Sequence, residues 1–196
     1  MAQDIPPRGV IEDGWFERAR GIPMTKAPIR AVILSLLAPL AGFRVLEIGS
    51  GTGAMTVELL RASGAGSVTS IDVSAEAFGL VRRNVERAGL ASRARLIVGR
   101  APEDVPPGAF DAAFIGGHGQ ALEAVIKSCW DRLTPGGRVL LSSITPGSTS
   151  RALACFDELR ASVGFWRAHT SCGGRVGSEW LLIGNNPIDF IWGDRV

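Results

Sequence analysis

The sequence predicts an α/β domain with a mostly parallel, doubly wound sheet of about seven strands, helices on both faces and a C-terminal antiparallel hairpin. Three observations carry this. Strand-like and helix-like patterns alternate from residue 43 to residue 162, as parallel crossover units require. A glycine-rich turn, "EIGSGTG" (47–53), directly follows the first strand pattern. The last two strand patterns, "SEWLLIG" (178–184) and "IDFIWG" (188–193), are joined by only "NNP". That connection is too short for a crossover helix, so the two are expected to pair antiparallel.

In chain order, residues 1–24 are rich in proline, glycine and charge and read as an N-terminal arm over a domain spanning 25–196. From Thr25 the pattern turns helical, with Ile29, Val32, Ile33, Leu36, Leu37 and Leu40 recurring on one face. Thr25 is placed to cap that helix, and Pro28 falls within its first turn, where proline is tolerated. Strands are expected at 43–48, 67–72, 95–98, 110–115 and 138–144. Helices are expected near 53–62, 75–88, 119–133 and 148–162, with Gly64, Gly89, Pro135 and Gly136 marking ends.

With 196 residues the chain fits one domain with a sizeable core, and 46% hydrophobic against 20% charged residues excludes a disordered or collagen-like chain. The longest apolar run, "IRAVILSLLAPLAGF", is broken by Arg30, Ser35 and Pro39, so no membrane span is expected. The N-terminus lacks the apolar stretch of a secretory signal. Cys129, Cys155 and Cys172 are odd in number and unpaired in spacing, which predicts neither a disulfide framework nor a zinc site and suits a reducing cytoplasm. A net charge of +2 gives no reason to expect nucleic-acid binding.

Gly49, Gly51 and Gly53 stand where open parallel sheets bind ligands, beyond the carboxyl end of a strand. Asp72 ends the second strand, at the distance downstream where a carboxylate accepts hydrogen bonds from ribose hydroxyls. NAD and S-adenosyl-L-methionine both carry such a ribose. Dinucleotide proteins favour G-x-G-x-x-G, whereas the spacing here is G-x-G-x-G after Glu47. The plain structural alternative is a tight turn, with Asp72 capping the next helix.

"E-I-G-S-G-T-G" resembles the first motif of class I methyltransferases, a Rossmann-like fold whose ligand has no pyrophosphate. Further stretches resemble one narrower family, the decarboxylating precorrin methyltransferases of cobalamin biosynthesis. These are "WFERARGIPMTKAPIRAVILSLLAP" (15–39), "VGRAPED" (98–104), "FIGGHG" (114–119), "LTPGGRVLLSSI" (133–144) and "GNNPIDFI" (184–191). The resemblance implies methylation of carbon 15 of a late precorrin and loss of carbon dioxide from the acetate on carbon 12. It also implies a homotetramer and a separate carbon 5 methyltransferase partner. Its cofactor-binding residues are carried over as Thr25, Gly49, Ser50, Gly51, Thr52, Gly53, Asp72 and Ala101. Three positions depart from the expected pattern: Pro28 where the family usually has glutamate, His118 where a small residue is common, and Arg100 where many class I methyltransferases place an acid, although "GRAPE" (99–103) resembles the fused precorrin relatives.

Two readings of His118 stand, a solvated loop residue and a group that moves protons, since a histidine ordinarily titrates near pH 6.5, roughly. A tetrapyrrole bears many carboxylates, so Lys26, Arg30 and Arg175 are candidates to line its cleft beside Gly116 and Gly117. The five tryptophans suit either a macrocycle or the core. The remaining alternatives are a methyltransferase for another carboxylated small molecule and a non-catalytic cofactor-binding subunit.

Overall fold

The computed structural model describes residues 9–196, so the first eight residues of the expected arm lie outside the described part. The strands are β1 (Arg44–Ile48), β2 (Ser67–Asp72), β3 (Ala94–Val98), β4 (Phe110–Ile115), β5 (Leu133–Ser143), β6 (Ser162–Ala168), β7 (Ser171–Val176), β8 (Glu179–Gly184) and β9 (Ile188–Asp194). The helices are α1 (Ala27–Leu37), α2 (Ala54–Ala62), α3 (Ala75–Arg87), α4 (Leu122–Asp131) and α5 (Pro146–Glu158). Seven strands form one sheet in the order β3-β2-β1-β4-β5-β9-β6. The pairs from β3 across to β5 are all parallel, as their crossover helices demand.

Side chains alternate across β1 into two cores. Val45 points into the layer of α1, α2 and α3, packing with Ile33, Leu59 and Val81. Leu46 points into the layer of α4 and α5, packing with Ile126, Ala152 and Phe156. Both strand residues are fully buried, which explains why the central strands read as continuous apolar runs.

The C-terminal expectation needs correction. Residues 178–184 and 188–193 do not pair with each other. β8 pairs antiparallel with β7 in a separate two-stranded ribbon, while β9 inserts antiparallel between β5 and β6. The short "NNP" link therefore carries the chain from the ribbon back into the sheet. Strands β6 and β7 carry no clear strand pattern in the sequence, because glycines interrupt them. Gly164 lies in β6 because any Cβ there would run into the Trp192 ring of β9.

The start of α1 also differs. Lys26, not Thr25, occupies the cap position, and no local side chain caps the helix. Asp13 does so from a distance, accepting the Ala27 N–H at 2.9 Å. The arm from residue 9 is built into the domain rather than laid across it: Ile11, Trp15 and Phe16 are buried in the first core. The Ile11 N–H donates to Glu58 Oε1 at 2.6 Å.

Candidate active site

A cavity of about 290 Å³ opens beyond the carboxyl ends of the central parallel strands. After β1 the chain supplies Gly49, Ser50 and Gly51, at the end of β2 Asp72 and Val73, after β3 Gly99 to Ala101, and after β4 Gly116 to Gly119. Pro23 and Thr25 of the segment before α1 close another side, and Met55 and Val125 contribute apolar surface.

Gly49, Gly51 and Gly53 all have positive φ, at 83°, 52° and 79°. The space left by their missing side chains is taken by protein. A Cβ on Gly49 would meet the Gly117 nitrogen at 2.6 Å, one on Gly51 would meet the Pro23 carbonyl, and one on Gly53 would meet Val81 Cα at 2.8 Å. The glycines thus let the GG loop after β4, the segment before α1 and helix α3 close on the turn. Hydrogen bonds fix the same closure. Gly116 and Gly117 both donate to the Ile48 carbonyl, at 2.8 and 3.2 Å, and Thr52 N–H donates to the Pro23 carbonyl at 3.1 Å.

Asp72 holds this turn in shape. Its Oδ2 accepts from Gly51 N–H at 2.9 Å and from the Ser50 hydroxyl at 3.4 Å, and its Oδ1 accepts from Ser74 N–H at 2.9 Å. Helix α3 is capped by Ser74 rather than by Asp72. The Asp72 carboxylate therefore faces the cavity with acceptor capacity to spare. Beneath the turn, Glu47 is fully buried. Burial lifts its carboxyl to about 7, with the Asp72 charge adding to the rise, while hydrogen bonds from Thr56 and Ser70 oppose it. Its Oε2 accepts from Thr56 Oγ1 at 2.5 Å and from Ser70 Oγ at 2.7 Å, whereas Oε1 has no partner among the described residues.

Residues 15–188 match the family model of the precorrin methyltransferase domain. This chain belongs to that family. It is 34% identical over 189 residues to a probable cobalt-precorrin-6B C(15)-methyltransferase (decarboxylating) of Saccharolobus solfataricus, an alignment covering 94% of this chain and 95% of that one. It is 36% identical over 185 residues to the protein of the same name from Pyrobaculum calidifontis, covering 92% and 93%. Among solved structures it resembles the precorrin 8W decarboxylase of Methanobacterium thermoautotrophicum, with a TM-score of 0.89 and 27% identity over 94% of this chain and 99% of that one.

In this member of the family, Thr25, Gly49, Ser50, Gly51, Asp72, Ala101, Gly116, Gly117 and His118 come together around the cavity. Thr52 and Gly53 do not line it. The Thr52 side chain is buried beneath the turn, and Gly53 caps α2 against Val81. None of the three proposed cleft cations lines the cavity either. Arg30 is wholly buried and its guanidinium donates to Asp13, to the Thr25 carbonyl and to the Ile11 carbonyl, so it ties the arm to the cavity wall instead of meeting a ligand. Lys26 is half-exposed and pairs with Asp13 at 3.8 Å. Arg175 lies on the ribbon with its guanidinium over Trp180.

The cation that does line the cavity is Arg100, exposed and held by its backbone N–H on Asp104 Oδ2 at 2.7 Å. Pro23, Met55 and Val73 also line it without having been singled out in the sequence. The only signal for them was adjacency to the motif residues Thr25, Gly53 and Asp72.

Proposed function

We propose that this chain methylates carbon 15 of a late precorrin or cobalt-precorrin and removes carbon dioxide from its carbon 12 acetate, with S-adenosyl-L-methionine as methyl donor, in cobalamin biosynthesis. The observation that carries the reading is the cavity: a glycine turn and a carboxylate on one side, and the open GGHG loop on another. It sits in a chain similar over 92–94% of its length to relatives named for this reaction.

The residues present suit that donor. Ile48, Met55, Ile71, Val73 and Val125 offer apolar walls for an adenine, and the cavity is near the lower end of small-molecule sites, which start at roughly 300 Å³. Asp72 retains acceptor capacity for ribose hydroxyls. A dinucleotide fits less well. Its pyrophosphate needs backbone N–H groups, but Gly51, Thr52 and Gly53 donate theirs to Asp72, Pro23 and Ser50. When bound, the sulfonium supplies an electrophilic methyl group.

The chain's own contribution is to position and to exclude water. Asp72 and the glycine turn orient the donor, and the segment at Pro23 and Thr25 covers it. Gly116, Gly117 and Gly119 leave His118 as the one side chain beyond glycine on that side of the cavity, which suits the approach of a wide, flat macrocycle. The macrocycle itself takes up the electron pair released with carbon dioxide, so the decarboxylation is internal to the substrate.

The same reading includes a homotetramer, supported by the β7–β8 ribbon. A two-stranded ribbon alone is marginally stable in water. This one exposes Trp180, Leu181, Leu182 and Ile183, with Leu182 83% exposed, and further copies of the chain would cover them. A separate enzyme would methylate carbon 5.

The test is to incubate the protein with S-adenosyl-L-methionine, a late precorrin and a carbon 5 methylating enzyme, and to weigh the product. One methyl gained beyond the partner's own, with one carbon dioxide lost, is the expected result. An unchanged tetrapyrrole with cofactor binding intact would overturn the reading.

A further inference from the structure

Among the described residues, three side chains with a charge or a titratable proton line the cavity: Asp72, Arg100 and His118. The Asp72 carboxylate is engaged at Oδ2 by the glycine turn and at Oδ1 by the Ser74 N–H, and its remaining acceptor capacity serves the ribose. The Arg100 guanidinium offers N–H donors and no acceptor for an incoming proton. His118 differs from both. Its Nδ1 is buried, yet it has no hydrogen-bond partner among the described residues, while its ring borders the cavity. Buried polar atoms are nearly always paired, so an unpaired ring nitrogen on a residue that lines a ligand cavity marks that residue as kept for function rather than for packing.

The loop that carries it is rigid on one side and open on the other. Gly116 and Gly117 are pinned to the Ile48 carbonyl, and the His118 carbonyl accepts from Ala121 N–H at 3.1 Å, at the start of α4. A side chain built on Gly119 would meet nothing within 4 Å, so nothing from that residue shields the imidazole from an approaching substrate.

The proposed reaction requires a proton to move. Adding a methyl cation to a bridging carbon that carries hydrogen leaves that carbon with both. Breaking the bond between the acetate CH₂ and its carboxylate releases carbon dioxide, and the electron pair enters the macrocycle, leaving an exocyclic CH₂. Conjugation returns when the bridging carbon loses its hydrogen as a proton and the CH₂ gains one to become CH₃. One proton leaves and one arrives, with no oxidant or reductant. A single group that accepts and then donates a proton is sufficient, and imidazole does both near neutral pH.

We propose that His118 is the catalytic residue that carries this proton between the two carbons of the tetrapyrrole; the proposal rests on the methylating and decarboxylating reading above. The charges around it come from several elements. Glu123 of α4 lies close enough to feel its charge and is itself paired with Arg151 of α5 at 2.5 Å. Asp72 and Arg100 line the same cavity.

The experiment compares wild type, His118→Ala and His118→Gln, with His169→Gln of the exposed second histidine as control. Product tetrapyrrole is incubated with each protein in deuterium oxide without any methyl donor, and deuterium uptake into carbon-bound positions is followed by mass. Wild type and the control should exchange. Both His118 variants should be slower by about 100-fold or more, the scale of a lost general acid–base, and free imidazole should restore the alanine variant. Full turnover should show the same loss in kcat, with cofactor Kd within about twofold of wild type by calorimetry. Retained exchange in His118→Ala, or a loss that imidazole does not restore, overturns the proposal. So does a loss that appears as weakened cofactor binding. Failure of wild type to turn over the precorrin would instead strike at the function itself.

Discussion

Replacing Glu47 by glutamine should change how the stability of this protein depends on pH, in a direction opposite to that of most carboxylates. The Glu47 carboxyl rises in the fold from its ordinary 4.5 to about 7 because it is buried, and the Thr56 and Ser70 hydroxyls compensate only in part. The folded state therefore holds a proton that the unfolded chain has already released above pH 4.5. Stability falls as pH rises from 4.5 to about 7, then levels off. At about 1.4 kcal/mol for each tenfold in proton affinity, the loss is about 3 kcal/mol. Glutamine keeps the shape and can still accept from Thr56 Oγ1 and Ser70 Oγ, but it carries no charge at any pH. Its NH₂ adds only a constant offset, since Oε1 has no partner among the described residues. Urea unfolding of both proteins at fixed concentration, without ligand, at pH 4.5, 6, 7 and 8.5 isolates the effect. The difference in unfolding free energy should move by about 3 kcal/mol toward the variant between the lowest and highest pH. Glu123, held down to about 2 mainly by Arg151, and Asp189, held low by Arg167, lose their stabilising contribution on the acid side. They do so equally in both proteins and cancel. A difference that stays constant with pH would refute the assignment of the buried charge to Glu47.

Three further outcomes follow from the same geometry. Arg30→Met leaves Asp13 and Glu58 without their buried cation, so it should cost about 3–5 kcal/mol in chemical unfolding. It should also weaken cofactor binding in calorimetry, because the Thr25 carbonyl loses its anchor. Gly49→Ala forces a Cβ to within 2.6 Å of the Gly117 nitrogen at a φ of 83°, so the GG loop must move. Cofactor affinity should fall at least about tenfold, and unfolding should cost roughly 1–3 kcal/mol. Leu182→Glu with Trp180→Glu on the ribbon should shift the mass by light scattering toward the monomer while the far-ultraviolet circular dichroism stays unchanged; an unaltered oligomer would remove the ribbon from the interface.

Much of this protein is set by local pattern. The five parallel strands follow from apolar runs of strand length between helical periods, and β1 to β4 begin and end within a residue of the expected bounds. The turn at Gly49 to Gly53 and the acid at Asp72 were legible because their spacing along the chain is short and their chemistry depends on residue type. Tertiary structure alone decided the rest. Whether 188–194 pairs with its neighbour or inserts between β5 and β6 depends on which sheet edge it can bury against, and Phe190 and Ile191 are fully buried in the second arrangement. Arg30 looks like a free cation in the sequence, but its partners Ile11, Asp13 and Glu58 come from separate parts of the chain. The cap of α1 comes from Asp13 rather than Thr25 for the same reason. Glycine content announced a tight turn, yet only the fold shows that Gly117, Pro23 and Val81 fill the space the side chains vacate. Periodicity reports how each segment divides between inside and outside, while pairing and charge compensation depend on what lies across the interface.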